Sequence, residues 1–356
     1  MSRIMAEKWH PGPGPHAMLP ASPDSIVAFE SAFRPRVLVI VDVEEEFDWN
    51  KPFSQRNTAV TTIAAQRPAE QIFRDFGIVP TYVVDYPVAN TPSAYSVLRA
   101  IADSGRCEIG AHLHPWVNPP HEGPIDAFHS YPGNLSERLE REKLGCLAAR
   151  IAESFGARPR IYKAGRYGLG PASFQSIASL GFEIDTSIVP RTDFSRAEGP
   201  DFTAFPSVPM KGPHGLLVLP LSVHFVGALS SLGAAIYPLV SAPAGAWLKI
   251  PGALSRLGLL ERLRLSPEGF GLNDMIRQTR SALASGERYF MLTYHSSSLL
   301  PGMNLYVRSE EERRDFLSRI DGYFSFFLKE CSGEVTSISE MARRLKRASP
   351  SPGGEG

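Results

Sequence analysis

Two histidines at the end of a hydrophobic segment are the residues of this sequence best placed to bind a metal ion. They are His112 and His114 in the stretch EIGAHLHPW, residues 108–116. Side chains two residues apart in a β-strand point to the same face, so both imidazoles can reach one ion. Such a site needs a third ligand, which in proteins is usually a carboxylate or another imidazole.

An acidic cluster offers the carboxylate. Asp42 ends the β-branched run 36–42, and Glu44 lies two residues further on the same side. An acidic group that ends a buried strand is costly unless it is paired or bound to a metal. Crowded carboxylates also raise one another's pKa, which suits a general base or a metal site. We expect Glu45, Glu46 and Asp48 to lie on the loop surface, with the alternative that any one of them is the ligand if the backbone turns.

A third histidine, His295, follows another hydrophobic segment, LTY at 292–294. A divalent ion held by two histidines and a carboxylate keeps open positions, lowers the pKa of a bound water and polarises a carbonyl. A nearby carboxylate then serves as base and a nearby imidazole as acid. The sequence therefore holds the groups needed to hydrolyse an amide or an ester.

Strand and helix patterns alternate about seven times, which predicts βαβ units and a parallel sheet, closed or nearly closed into a barrel. The predicted strands are 36–42, 78–85, 107–113, 160–164, 182–185, 216–219 and 289–293, with a short one at 335–337. The predicted helices are 68–76, 93–104, one capped by Asn134 and ending at 155, 171–180, 272–285 and 309–330. The polar residues Asp42, His112, Lys163, Asp185 and His295 fall at the carboxyl ends of strands, where α/β barrels build their sites.

The domain organisation predicted from the pattern is one barrel between two tails. Residues 1–33 and 347–356 are rich in Pro, Gly and Ser and are expected to be disordered, and residues 34–346 form the barrel. An apolar insertion covers 229–265. Because prolines interrupt it, we expect no membrane-spanning helix there but an irregular loop or helical hairpin over the barrel mouth.

Composition narrows the class of protein. The 356 residues contain 37 Lys plus Arg and 37 Asp plus Glu, and this balance argues against nucleic acid or an anionic membrane as the main partner. Three widely spaced cysteines argue against a disulfide framework. With no pattern typical of a signal peptide at the start, we expect a cytoplasmic location. The oligomeric state is not indicated.

Five motifs, in order, resemble those of the polysaccharide deacetylases, the NodB-homology or carbohydrate esterase 4 family. More narrowly, the chain resembles deacetylase-like proteins of bacterial surface-sugar gene clusters. The motifs are VDVEE (41–45), EIGAHLH (108–114), YKAGRYG (162–168), DTS (185–187) and LTYH (292–295). The resemblance extends over about residues 36–340. It implies a distorted (β/α)7 barrel, a divalent metal, zinc in first place, and removal of N- or O-acetyl groups from sugars.

The resemblance also implies roles for single residues. Asp42 is expected to be the general base, His112 the first metal histidine and His295 the general acid. The arginine that orients the base in the family is Lys163 here, with Arg166 as a second candidate for that task. Lysine is a point charge without the fork of a guanidinium, so it holds a carboxylate less rigidly.

Two metal ligands depart from the family pattern. The second Asp of the first motif is Val43, and we expect Glu44 to replace it. The two histidines of the family lie four residues apart, but position 116 is Trp in this chain. His114 is therefore expected to supply the second imidazole.

Three functional hypotheses follow. The first is a metal-dependent hydrolase of carbon–nitrogen bonds other than peptide bonds, a deacetylase of an intracellular acetylated sugar or polysaccharide precursor. The second is an inactive saccharide-binding barrel, with Trp49, Trp116, Tyr167 and Tyr294 as stacking candidates. The third is an iron oxygenase with two histidines and one carboxylate, which the helix alternation disfavours because those folds are antiparallel β.

Overall fold

The computed structural model of the protein describes residues 22–27, 29, 33–123, 125–242, 245 and 247–348. The strands are β1 (Arg36–Val43), β2 (Thr81–Val84), β3 (Glu108–Leu113), β4 (Ile161–Ala164), β5 (Ile184–Asp185), β6 (Met210–Lys211), β7 (Leu217–Val218), β8 (Val223–Val226), β9 (Glu261–Arg264), β10 (Tyr289–His295) and β11 (Glu334–Val335). The helices are α1 (Arg67–Asp75), α2 (Tyr86–Asn90), α3 (Pro92–Asp103), α4 (Glu137–Phe155), α5 (Ser173–Ser179), α6 (Gly233–Ser241), α7 (Ile250–Arg256), α8 (Leu272–Ala284), α9 (Glu310–Lys329) and α10 (Ile338–Ala348).

The centre of the fold is a mainly parallel sheet in the order β10-β1-β2-β3-β4-β5-β7-β6, with β11 also paired to β1. Every neighbouring pair from β10 to β7 is parallel, and β6 joins antiparallel at the edge. All eight residues of β1 are buried, as expected for a β-branched strand that is covered on both faces. The sheet curls into a partial barrel, and the predicted distorted (β/α)7 barrel is confirmed.

The register of the sheet sets the positions of the polar side chains. Asp42 at the end of β1 pairs with His295 at the end of β10, and His112 of β3 pairs with Lys163 of β4. Because parallel strands end on the same side, these four residues share one rim of the barrel.

The aromatic stripe of α9 closes the hydrophobic core. Phe316, Tyr323 and Phe327 are buried. The ring of Phe327 lies 5.3 Å from that of Phe290, and the ring of Phe316 lies 5.6 Å from that of Tyr294. These contacts join α9 to β10, so the stripe predicted over 309–330 is core packing.

The apolar insertion is an antiparallel ribbon that carries a helical hairpin. β8 and β9 pair with each other, and α6 and α7 lie between them in the chain. A hairpin was among the expected forms. Several of its large apolar side chains are exposed: Leu232, Leu239, Trp247, Leu248 and Leu257. Within the described residues, no helix is both long and apolar enough to cross a bilayer.

Two local predictions differ from the structure. The tail predicted over 1–33 reaches too far, because residues 22–27 lie against the sheet: the Val27 backbone N–H donates to the Pro209 carbonyl at 2.9 Å. Most of the predicted tail, and residues 349–356, lie outside the described residues. Helix α4 is capped by Ser136, whose hydroxyl accepts the Leu139 N–H at 3.3 Å, and not by Asn134.

A buried carboxyl group predicts a pH-dependent stability. Burial raises the pKa of Glu140 in α4 from its usual 4.5 to about 7, and the Ser173 hydroxyl donates to its Oε1. Between these two pH values the unfolded chain gives up a proton that the folded chain keeps, so stability falls as pH rises and the loss is complete above about pH 7. Glu140→Gln should stabilise the protein by up to about 3 kcal/mol at pH 8 and have little effect at pH 4.

The measurement is urea denaturation of both proteins at the two pH values, with Glu137→Gln in the exposed first turn of α4 as the control. A difference between Glu140→Gln and the parent protein that does not change with pH would contradict the assignment.

Candidate metal centre

Three side chains from β3 and from the segment after β1 meet at the rim of the barrel. The Oε2 atom of Glu44 lies 3.3 Å from Nε2 of His112 and 3.4 Å from Nε2 of His114. All three side chains are buried or nearly so. Their ligand atoms lie within 4.8 Å of one another, so the structure brings together the three residues predicted to hold a metal.

The spacing of these atoms fits a small divalent ion. Ligand atoms that lie 2.0–2.1 Å from a tetrahedral zinc ion are about 3.3 Å from one another. The two oxygen–nitrogen distances at Glu44 have this value within a tenth of an ångström. Two imidazoles and one carboxylate are also a donor set that zinc accepts while keeping a position open.

The other nitrogen of each imidazole has a hydrogen-bond partner. Nδ1 of His112 donates to the Lys163 carbonyl at 3.0 Å, because a carbonyl oxygen only accepts. Its Nε2 lone pair therefore faces Glu44. Nδ1 of His114 lies 2.7 Å from Oε2 of Glu45, and if Nε2 held a metal the shared proton would lie on Nδ1. Such outer contacts orient ligating histidines in metal sites.

Glu45 corrects one prediction, because it is a buried residue and not part of the loop surface. Its Oε1 accepts the Trp116 indole N–H at 2.6 Å, and its backbone N–H donates to Asp85 at 2.6 Å. Burial raises the pKa of Glu45 to about 8, and the nearby Glu44 carboxylate acts in the same direction. Glu45, Asp85 and His114 form a second possible ligand group, which shares His114 with the first.

Asp42 and Lys163 form a buried ion pair beside the metal ligands. Nζ of Lys163 donates to Oδ1 of Asp42 at 2.6 Å and to Oδ2 at 2.8 Å, with Thr293 Oγ1 at 3.3 Å. Burial by itself raises the pKa of Asp42. The positive charge of Lys163, with the two nearby imidazoles, outweighs burial and lowers that pKa to about 2. Asp42 is thus ionised at neutral pH.

His295 faces Asp42 across the rim. Its Nε2 lies 3.6 Å from Oδ2 of Asp42, and its Nδ1 lies 2.9 Å from Oε2 of Glu268. The backbone N–H of His295 also donates to Glu268 at 2.8 Å. Burial by itself lowers the pKa of His295, but the carboxylates of Glu268, Glu44 and Asp42 raise it well above the usual value. The imidazole is therefore protonated near neutral pH and has a proton to donate.

Arg166 lies on another wall of the site. Its guanidinium is 3.9 Å from the ring centre of Tyr131 and 5.8 Å from that of Trp49, and it donates to the Ala127 carbonyl and to the Ser130 hydroxyl. It makes no contact with Asp42 that qualifies as a hydrogen bond or an ion pair. The second candidate for orienting Asp42 is therefore wrong in position, and among the described residues Lys163 makes the direct hydrogen bonds to that carboxylate.

These groups open into one cavity of about 490 Å³, which is within the range of small-molecule sites. Asp42, Glu44, His112, His114 and His295 all line it, and so do Trp49, Tyr167, Tyr306, Arg166 and Arg264.

Not every predicted rim or stacking residue reaches the cavity. Trp116 and Tyr294 are fully buried, so neither can stack on a ligand in the cavity. Asp185 accepts the Ser187 hydroxyl at 2.5 Å and lies outside the cavity lining.

Sequence reasoning missed Glu268, Asp85 and Arg264. Glu268 lies 27 residues before its partner His295, and Asp85 lies 40 residues after Glu45. Only the tertiary fold makes them neighbours, and no local spacing marks them. Arg264 ends β9 in the insertion, for which the sequence predicted no site residue.

Comparison with known proteins establishes the fold and no more. No protein-family model matches the sequence, and no curated protein matches it. Among solved structures, a protein from Mycobacterium smegmatis assigned to the polysaccharide deacetylases is 15% identical with a TM-score of 0.55, covering 94% of this chain and 98% of that chain. The PuuE allantoinase is 16% identical with a TM-score of 0.50, covering 89% and 91%.

At these sequence identities the similarity shows a shared barrel fold and does not show which reaction the protein catalyses. The structures that resemble this fold include polysaccharide deacetylases and other carbohydrate esterase 4 members. The narrower resemblance to proteins of surface-sugar gene clusters stays a prediction.

Removal of either imidazole should abolish metal binding. We expect the purified protein to carry about one zinc ion per chain and His112→Ala or His114→Ala to carry almost none, since two ligands hold zinc far more weakly than three. Elemental analysis of the purified proteins measures this. His129→Ala, whose exposed ring bonds to Asp126 on a loop, should keep its zinc. Equal zinc content in all four proteins would show that the ligands are assigned wrongly.

The outer contact of His114 should matter almost as much. In Glu45→Gln the amide has one oxygen for two donors, the Trp116 indole and Nδ1 of His114. We expect a roughly 10- to 100-fold loss of zinc affinity in competition with a chromophoric chelator. The exposed control Glu122→Gln should not change the affinity. Unchanged affinity in Glu45→Gln would mean that Glu45 does not orient the ligand.

Proposed function

We propose that the protein is a metal-dependent hydrolase of carbon–nitrogen bonds, a deacetylase of an acetylated sugar or polysaccharide precursor. The observation that supports this proposal is that a carboxylate and a protonated imidazole lie close together at one rim of the barrel. The carboxylate of Asp42 and the protonated His295 face each other at 3.6 Å, beside the Glu44, His112 and His114 cluster. A base, an acid and a metal-ligand set in one cavity are what amide hydrolysis requires.

Glu44, His112 and His114 would hold the metal ion, for which zinc fits the donors and their spacing. When bound there, such an ion supplies Lewis acidity towards the acetyl carbonyl and a water of lowered pKa. The Lys163 carbonyl and Glu45 keep the two imidazoles turned towards the ion position.

Asp42 and His295 move the protons. The ionised Asp42 accepts a proton from the attacking water at Oδ2, the oxygen nearer to His295. His295 donates the proton on Nε2 to the departing nitrogen, and the Glu268 carboxylate stabilises its imidazolium. A general acid of this kind typically contributes 10²- to 10⁴-fold to the rate.

The walls of the cavity support a sugar as the acetylated partner. Trp49 and Tyr306 are aromatic side chains that line the cavity and remain 52% and 47% exposed. Exposed aromatic rings beside polar groups are typical of saccharide sites, because the rings cover the apolar face of a pyranose.

The three cysteines are free, which supports placing the precursor in a reducing cytoplasm.

A non-catalytic saccharide-binding barrel is the second candidate, and one observation favours it. Lys163 engages both oxygens of Asp42, and the pKa of this carboxyl lies at about 2. A carboxylate held in this way is a weak proton acceptor.

The iron oxygenase hypothesis requires an antiparallel architecture, and the main sheet of this fold is parallel.

The test is acetate release from a panel of N-acetylated sugars by the zinc-loaded protein. His295→Ala should lower kcat by roughly 10²- to 10⁴-fold. It should keep its zinc, because His295 is not a ligand. His214→Ala, on a loop away from the cavity, should keep full activity. Release that persists at full rate after chelation of the metal would defeat the mechanism, and saccharide binding without any release would favour the second candidate.

A further inference from the structure

Two arginines in the catalytic cavity have no acidic partner. Arg166 and Arg264 both line the cavity that contains the metal ligands. Among the described residues, no carboxylate oxygen lies within 4.0 Å of a guanidinium nitrogen of either one. This differs from the rest of the rim, where Lys163 pairs with Asp42 and His295 pairs with Glu268.

Arg264 is held by a single hydrogen bond. It is the last residue of β9, and its Nη1 donates to the Tyr167 hydroxyl at 3.0 Å. A guanidinium carries five N–H donors in a fixed fork, so most of the donors of Arg264 remain for a ligand. Its side chain is mostly buried, and Glu268 and Asp42 attract its charge without forming a direct ion pair with it, so its free donors lack a hydrogen-bonded anion.

Arg166 reaches the same cavity from a strained turn. Arg166 and Tyr167 both have positive φ, 54° and 60°, which side chains other than glycine rarely adopt. Backbone strain of this kind tends to persist at functional sites. The turn directs both side chains into the cavity, where the Tyr167 hydroxyl holds Arg264.

The charges of the cavity leave a positive excess. Lys163 balances the charge of Asp42 and His295 balances that of Glu268, so the single carboxylate of Glu44 remains beside the two arginines. The Arg166 and Arg264 charges exceed it, although, despite burial, Glu268 and Asp42 are near enough to Arg264 to raise its pKa. A neutral acetylated sugar would strip water from both guanidinium groups and return no charge, whereas an anionic group would pair with them.

We propose that Arg264 and Arg166 form a subsite for an anionic group on the substrate, a carboxylate or a phosphate. The substrate class is thus an acidic or phosphorylated acetylated sugar. The assignment of the anion to a substrate rests on the proposed function. The prediction that the two arginines bind an anion does not depend on it.

The experiment is calorimetric titration of the zinc-loaded full chain with three probes: N-acetylglucosamine, its 1-phosphate and its C6 uronate. At least one anionic probe should bind roughly 10- to 100-fold more tightly than the neutral sugar, the range expected for a charged hydrogen-bonded contact. Arg264→Gln and Arg166→Gln should each reduce that preference by a similar factor. A preference for the phosphate indicates a phosphorylated sugar, and a preference for the uronate indicates an acidic one.

The controls separate the subsite from the metal and from the fold. Zinc content must be unchanged in Arg264→Gln, because the metal can itself attract anions. Arg256→Gln removes an exposed arginine from α7 and should keep the preference. If Arg264→Gln does not fold, Tyr167→Phe removes only the hydroxyl that holds Arg264 and should weaken the preference about 2- to 10-fold.

Equal affinity of the parent protein for all three probes, or a preference that survives Arg264→Gln, would overturn the subsite. Calorimetry detects binding without turnover, so the two proposals fail separately. An anion preference with no acetate release from any probe would remove the deacetylase and leave the subsite. Acetate release from the neutral sugar without any anion preference would leave the deacetylase and remove the subsite.

Discussion

Buried charge has to be compensated, and at the carboxyl end of this sheet the compensation is built into the strand register. Asp42 and His295 are paired residues of neighbouring strands, and so are His112 and Lys163. Lys163 crosses from β4 to β1 to neutralise Asp42 inside the barrel. A one-residue slip of any strand would turn its charged side chain to the opposite face. Each charged side chain therefore meets its partner only in the observed strand register.

The candidate metal centre shows a similar dependence of one side chain on its neighbours, at His114. Trp116 packs against the His114 ring at 4.2 Å and its indole N–H holds Glu45, which in turn holds Nδ1 of His114. Gly165 makes room for that ring, since a Cβ there would collide with Cδ2 of His114 and with the Leu113 carbonyl. A histidine at position 114 thus comes with a tryptophan, a glutamate and a glycine that orient it.

Much of the fold and part of the site could be predicted from the sequence, because both depend on local pattern. A β-branched run marked β1, a hydrophobic segment marked β3, and the period of two in a strand placed His112 and His114 on one face. Glu45 was misjudged because the strand pattern ends with β1 at Val43, and its burial depends on Trp116 and Asp85, which are distant from it in the sequence. Glu268 could not be predicted, because only the tertiary fold brings it into contact with His295.

The chemistry and the recognition of a ligand come from different parts of the chain. Asp42, His112 and His295 lie on parallel strands whose positions the hydrogen-bonded sheet fixes. Arg166 lies in a strained turn, and Arg264 ends the ribbon that carries the apolar hairpin. The ribbon forms a two-stranded sheet of its own, and the residues that flank it are tied to β10: the Thr293 N–H donates to the Leu265 carbonyl at 3.2 Å and the Met291 N–H to the Ser222 hydroxyl at 2.8 Å. Under the two proposals above, the strand ends carry the reaction and the end of the ribbon contributes to the choice of substrate.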